Sequence, residues 1–394
     1  MSTKLKLYAI FMLGLFGLSL AGCAGPTVES LRSPVPEPLV NSSLVPGYSH
    51  IRFWGDSSEA ITPSVVAEVM AQQKAAGITS QERSFLAISG GGSNGAFGAG
   101  LLTGWTKAGT RPEFVVVTGI STGALIGTFA FLGPPYDRYL TEAYTEISGE
   151  DVFRKRAIFS IVGADAVADN SPLRKLVSLY VTEQMVADIA REHKRGRRLL
   201  VGTTNLDAGR PVVWDIGAIA ASGVSGSREL IQDILVASAS VPGVFPPVKI
   251  KVVADGQTFD EMHVDGGTSN QAFLFPSGFS VKEGDRKFNR GKIKRQLFVI
   301  RNGKVTPEFS QVKPRVASIV SRSISTLIKT QGIGDLYRMY TNAQRDDIAF
   351  RVKWIPDSFT MREPAPFDQA YMRALYDLGF QMGLNGIDWA TAPP

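Results

Sequence analysis

Along the chain, apolar and polar positions divide into a short leading segment, a proline-rich stretch and a long region where strand-like and helix-like patterns alternate. Leu7 to Leu20 is apolar and uncharged and follows Lys4 and Lys6. At roughly 14 residues it falls short of the about 20 needed to span a bilayer, so residues 1–22 read as a signal peptide. Ala24 to His50 carries Pro26, Pro34, Pro36, Pro38 and Pro46, and residues 23–50 are expected to form an extended tether. Denser sequence begins at Ile51, and residues 51–394 are expected to form a single domain. Thr62-Pro63 predicts an N-cap and first helical position, with Gly77 as the stop.

From Ser84 the two patterns alternate. Phe85-Leu86-Ala87-Ile88 predicts a buried strand, Ala96 to Ala108 a helix, Phe114-Val115-Val116-Val117 a second strand and Ala124 to Leu132 a second helix. Leu199 to Thr204, Pro211 to Trp214 and Leu297 to Ile300 supply further strands, and Phe367 to Met382 a terminal amphipathic helix. Continuous apolar strands between helices predict an α/β fold, a mostly parallel central sheet flanked by helices. Lys282 to Arg295 is polar and basic and reads as a surface loop. The cluster Lys194, Arg195, Arg197 and Arg198, beside His193, reads as a solvated helix end.

Composition adds limits. An apolar fraction of 44% with 20% charged residues fits a globular protein. The net charge of +6 is modest and partly in the leader; without zinc-finger spacing, an RNA-binding signature or a basic arm, nucleic acid is not an expected partner. Cys23 is the sole cysteine, which excludes an internal disulfide and a multi-cysteine metal site. Leu20-Ala21-Gly22-Cys23 resembles the bacterial lipobox, in which the cysteine receives diacylglycerol. The resemblance implies a lipoprotein anchored in the cell envelope, at the outer membrane if the host has one, because Ala24 replaces the retention aspartate. Acyl chains on Cys23 would bury methylenes at about 0.8 kcal/mol each.

Two glycine-rich turns carry candidate chemistry. Gly90-Gly91-Gly92-Ser93-Asn94-Gly95 lies between a strand and a helix, where backbone N–H groups and the helix dipole suit an anion. Such a turn serves a dinucleotide pyrophosphate or the oxyanion of acyl transfer. The dinucleotide version wants an acid at the end of the second strand, and Glu113 precedes that strand. Gly119-Ile120-Ser121-Thr122-Gly123 also joins a strand to a helix, the setting of a nucleophile elbow that exposes Ser121. A serine needs a base. Of the three histidines, His50 comes too early and His193 sits among cations. His263 remains, as in an α/β-hydrolase esterase. Two residues later, Asp265-Gly266-Gly267 offers a carboxylate on a turn.

These motifs, in this order, resemble the patatin-like phospholipase family over most of Ser84 to Gly383. Asn170-Ser171-Pro172-Leu173, Thr203 to Gly209 and the run Ala237 to Pro247 are similar as well. The resemblance implies a three-layer α/β domain and a Ser121–Asp265 dyad that hydrolyses lipid acyl esters through an acyl-serine. It also implies an oxyanion hole at Gly91 and Gly92, shaped by Gly90 and Gly95, and needs no metal or cofactor. The expected substrate is a membrane lipid. Asn94 stands where the family usually has a basic residue, which weakens the expectation of a phospholipid head group. The remaining alternative is a lipid-binding lipoprotein without activity.

Overall fold

The computed structural model describes residues 32–58, 61–78, 80–155, 168–276, 278–288, 291 and 293–394. The signal peptide at residues 1–22 and the lipidation at Cys23 lie outside them. The strands are β1 (Arg52–Trp54), β2 (Glu82–Ile88), β3 (Phe114–Ile120), β4 (Arg154–Lys155), β5 (Ala168–Asp169), β6 (Arg198–Asn205), β7 (Arg210–Asp215), β8 (Val248–Ala254), β9 (Gln257–Asp265), β10 (Lys294–Arg301) and β11 (Ile348–Trp354). The first helices are α1 (Pro63–Ala75), α2 (Gly95–Lys107), α3 (Thr122–Leu132), α4 (Asp137–Thr145), α5 (Gly149–Val152) and α6 (Ser171–Tyr180). They are followed by α7 (Glu183–Lys194), α8 (Ile216–Ala221), α9 (Ser227–Ser238), α10 (Val281–Lys287), α11 (Val316–Arg345) and α12 (Gln369–Leu384).

Among the described residues, β4 and β5 form a separate ribbon and the other strands form one sheet. Its central strands, in the order β6-β3-β2-β10-β11, are parallel. β7, β1, β9 and β8 extend it in antiparallel register beside β6. The sheet is a middle layer because its central strands are apolar on both faces. Leu86, Ile88, Val117 and Ile300 pack into a core shared with α2, α3 and α12. Phe85, Ala87, Leu297 and Val299 point the other way, against Leu336 and Met339 of α11. Each fully buried side chain of this size contributes about 1.5–3 kcal/mol. The parallel strands run the same way, so the loops after β2, β3, β10 and β11 emerge on one edge, where open α/β sheets place their sites.

Three expectations are corrected. The stretch 23–50 is not a free tether over its described part. Val35 and Val45 are buried, Pro34 and Leu44 bridge to Asp260 and Val253, and Arg32 pairs with Asp207 and Asp260. Its prolines lay the chain along β8 and β9 rather than keeping it off the body. The stretch 282–295 is not all loop: helix α10, capped by Ser280 just before it, occupies its start, and Arg295 is buried against Asp285. The end of α7 is only partly solvated: Lys194 is exposed and Arg195 half-exposed, but the rest is covered. His193 is buried, and Arg197 donates to Glu192 and to the carbonyls of Phe114 and Phe131. A guanidinium can cross a core edge when carbonyls and a carboxylate satisfy its donors.

Candidate active site

β3 ends at Ile120 and α3 begins at Thr122, which leaves one residue for the turn. Ser121 makes it at φ 56°, ψ −129°, a conformation that costs a non-glycine residue about 1–3 kcal/mol. Its neighbours hold it there. A Cβ on Gly123 would overlap the carbonyl of Ile88, and one on Gly119 the carbonyl of Gly123, so only glycines allow α3 to start so close to the sheet. The Ser121 N–H donates to Ser238 Oγ at 2.9 Å, and that hydroxyl donates to the Gly202 carbonyl at 2.7 Å.

Asp265 ends β9 opposite Thr203 of β6, and its N–H donates to the Ser240 carbonyl. Its Oδ1 accepts the N–H of Gly267 at 2.7 Å, and the Ser121 hydroxyl lies near enough to the same carboxylate to pull its pKa down. Both side chains are nearly covered, with Ser121 8% and Asp265 5% exposed. Burial pushes the Asp265 carboxyl up to about 6, against the opposing pull of the Ser121 and Gly267 donors. A carboxylate with that affinity for protons is a far better acceptor from a hydroxyl than an ordinary aspartate.

The glycine loop after β2 is clamped from two sides. Gly90 N–H donates to the Gln271 carbonyl at 3.1 Å, and Gln271 Nε2 donates to Gly267 O at 2.9 Å, which ties this loop to the Asp265 turn. Buried Asp335 of α11 accepts the N–H groups of Gln271 and Ala272. On the other side, Asn302 Nδ2 donates to Ser89 O and its Oδ1 accepts Gly98 N–H. Among the described residues, no protein acceptor meets the N–H of Gly91 or Gly92, and Gly92 lines the cavity beside Ser121. These two donors stay available to an anion. Asn94 Oδ1 accepts the Tyr371 hydroxyl at 2.6 Å, so it fastens the loop to α12.

Ser121, Thr122 and Gly92 open into a cavity of about 590 Å³. Its walls are apolar, with Leu125, Phe129, Leu176, Tyr180 and Phe245 among the lining side chains, and Pro366 and Phe367 close one side. Such a lining favours a hydrocarbon chain over a polar group. Phe367 is fixed by its N–H donating to Ser93 Oγ. Among the described residues, no group of three or more His, Cys, Asp or Glu is placed to hold a metal ion.

His263 does not join this arrangement. It is fully buried, with Nδ1 bonded to Thr203 Oγ1 and Nε2 to Glu261, whose carboxylate also pairs with Arg52. With both ring nitrogens engaged, it has none free for Ser121. The chain order of the motifs pointed to Ser121 and Asp265, whereas Ser238, Gln271, Asn302 and Asp335 lie far apart in sequence. Only Ser238, inside the run Ala237 to Pro247, carried a signal, and that signal named no role.

A patatin-like phospholipase family model matches residues 86–275. No curated protein matches the chain. Similar solved structures include VipD from Legionella pneumophila, at 11% identity and a TM-score of 0.33, covering 78% of this chain and 67% of that one. Another is human GIVD cytosolic phospholipase A2, at 10% identity and a TM-score of 0.32, covering 85% of this chain and 56% of that one.

Proposed function

From the match of residues 86–275 to the patatin-like phospholipase family model, we propose that the chain is a member of that family in which Ser121 and Asp265 form a dyad hydrolysing acyl esters of lipids. The observation that carries the reading is the Ser121 hydroxyl, on its strained turn, set beside a buried carboxylate and lining an apolar cavity. Ser121 Oγ attacks the ester carbonyl carbon while Asp265 takes its proton. The negative charge moves to the former carbonyl oxygen, where the N–H groups of Gly91 and Gly92 receive it. One such donor is typically worth about 10²–10³ in rate. Collapse expels the alcohol, which takes the proton back from Asp265, and leaves an acyl-Ser121. Water then attacks the acyl carbon with Asp265 again as base, releasing the fatty acid.

The cavity takes the acyl chain, which makes the enzyme a reader of chain more than of head group. Asn94, spent on Tyr371, offers no cation to a phosphate. A lipidated Cys23 would keep the site within reach of membrane lipid; fatty-acid labelling of wild type but not Cys23→Ser tests that part. The function itself is tested with purified protein on p-nitrophenyl esters of graded length and on a phospholipid. We expect turnover that rises with chain length and vanishes in Ser121→Ala. A wild type without esterase activity on any of them would overturn the reading.

A further inference from the structure

The long helix α11 is built with its polarity reversed at one end. Its C-terminal half buries Leu336, Met339 and Ala343 against the sheet. In its N-terminal half, Val316, Ile319, Val320, Ile324 and Leu327 recur at i, i+3, i+4, i+8 and i+11, which is one face of a helix. That face is turned outward: Val316 is 79% and Leu327 68% exposed, and Phe309 on the preceding loop is 89% exposed. The side toward the body is polar. Arg322 donates to the Glu308 carbonyl, and Lys329 reaches the Thr306 carbonyl and the Glu308 carboxylate. Contiguous exposed apolar surface of this kind marks an interaction site.

Charge says what it meets. From Phe309 to Gly334 the chain holds Lys313, Arg315, Arg322 and Lys329 and not one aspartate or glutamate. Lys313 and Arg315 are exposed at the tip, directly before the apolar face. A basic border on an outward apolar helix face is the pattern of a segment lying in an anionic membrane interface. Among the described residues, no helix is long and apolar enough to cross a membrane.

Position links the face to the site. The loop before α11 follows β10 on the edge where Ser121 sits, and Thr306 is hydrogen-bonded to Asp357 in the segment after β11. That segment continues to Pro366 and Phe367 at the cavity. We propose that the outward face of α11, with Phe309, Lys313 and Arg315, docks onto an anionic lipid surface and turns the cavity edge toward it. The docking face stands on its own observations, while its benefit to turnover rests on the proposed hydrolase reading.

The test uses the full chain carrying Cys23→Ser, so that no acyl anchor contributes, and Ser121→Ala, so that vesicles stay intact. Co-sedimentation is measured with phosphatidylglycerol-containing vesicles and with pure phosphatidylcholine vesicles. We expect binding to the anionic vesicles that weakens with salt, and at least a tenfold loss in Ile319→Gln/Ile324→Gln/Leu327→Gln. Lys313→Gln/Arg315→Gln should lose most of the preference for anionic lipid. With Ser121 restored, both sets should keep wild-type hydrolysis of a soluble short-chain ester, which separates failure of docking from failure of the hydrolase reading. Unchanged vesicle binding in the triple variant, equal binding to both vesicle types, or a wild-type dimer that the triple variant dissolves in sedimentation velocity would each overturn the proposal.

Discussion

The hydroxyl of Ser238 holds the backbone of Ser121: it accepts the Ser121 N–H at 2.9 Å and donates its own hydrogen bond to Gly202 O at 2.7 Å. Ser238 lies at the end of α9 and is fully buried, so nothing else can take either bond. In Ser238→Ala both partners lose theirs inside the core, which costs about 1–3 kcal/mol. We expect a melting temperature lower by several degrees and a kcat reduced at least tenfold with KM little changed. Thermal melts and steady-state kinetics on a soluble ester check it. Full kcat in a variant that melts lower would show that the turn keeps its shape without this bond.

The acid limb of the pH profile should belong to Asp265. The carboxylate must be ionised to accept the Ser121 proton, so kcat/KM should rise with a midpoint near pH 6, following the value to which burial raises it. The stability consequence has the opposite sign. A folded pKa above the unfolded one means that the native state holds the extra proton between about pH 4 and 6, so stability falls as pH rises through that window. Asp265→Asn should therefore melt higher than wild type at pH 7.5, by the equivalent of up to about 3 kcal/mol, with little gain at pH 4. Equal melting of the two proteins at pH 7.5 would show that the buried charge is compensated.

His263→Ala separates a structural histidine from a catalytic one. Its bonds to Thr203 and Glu261 are internal to the β6–β9 pairing, and burial holds its pKa below the ordinary histidine value. Removing the ring leaves Glu261 to Arg52 and Ser43 and opens a void beside Trp214. The variant should lose about 1–3 kcal/mol of stability and retain most of kcat in its folded fraction. Denaturant titration, with activity normalised to folded protein, checks both halves.

The sequence made most of the sheet and the two turns readable, for reasons that lie in particular residues. Phe85 to Ile88, Val115 to Val117 and Leu297 to Ile300 are apolar on both faces, so they had to be interior strands. Ser121 and Asp265 were legible because each sits on a glycine turn whose geometry demands small neighbours. The brackets around them were not legible. Gln271 and Asp335 act through the backbone of a loop 64 residues from Asp335, and no local pattern marks such a pairing. The cations after His193 looked solvated because composition cannot show that carbonyls from β3 and α3 wait for Arg197. Residues 32–50 looked like a tether because prolines also suit a chain laid along a sheet edge.

Chain-length preference should follow the cavity. Leu176 lies on α6 in its wall and is only partly buried, so Leu176→Trp adds volume to the pocket with little strain on the core. We expect kcat/KM for long acyl esters to drop several-fold while butyrate esters are unaffected. A uniform drop across all lengths would mean that the acyl chain does not run past Leu176.

The pairing of Ser121 with Asp265 is tested most directly by fluorophosphonate labelling of the folded protein followed by peptide mapping. The account predicts label on Ser121, absent in Ser121→Ala and strongly slowed in Asp265→Asn, with His263→Ala labelling near the wild-type rate. Label on another residue, or rapid labelling in Asp265→Asn alongside none in His263→Ala, would contradict it.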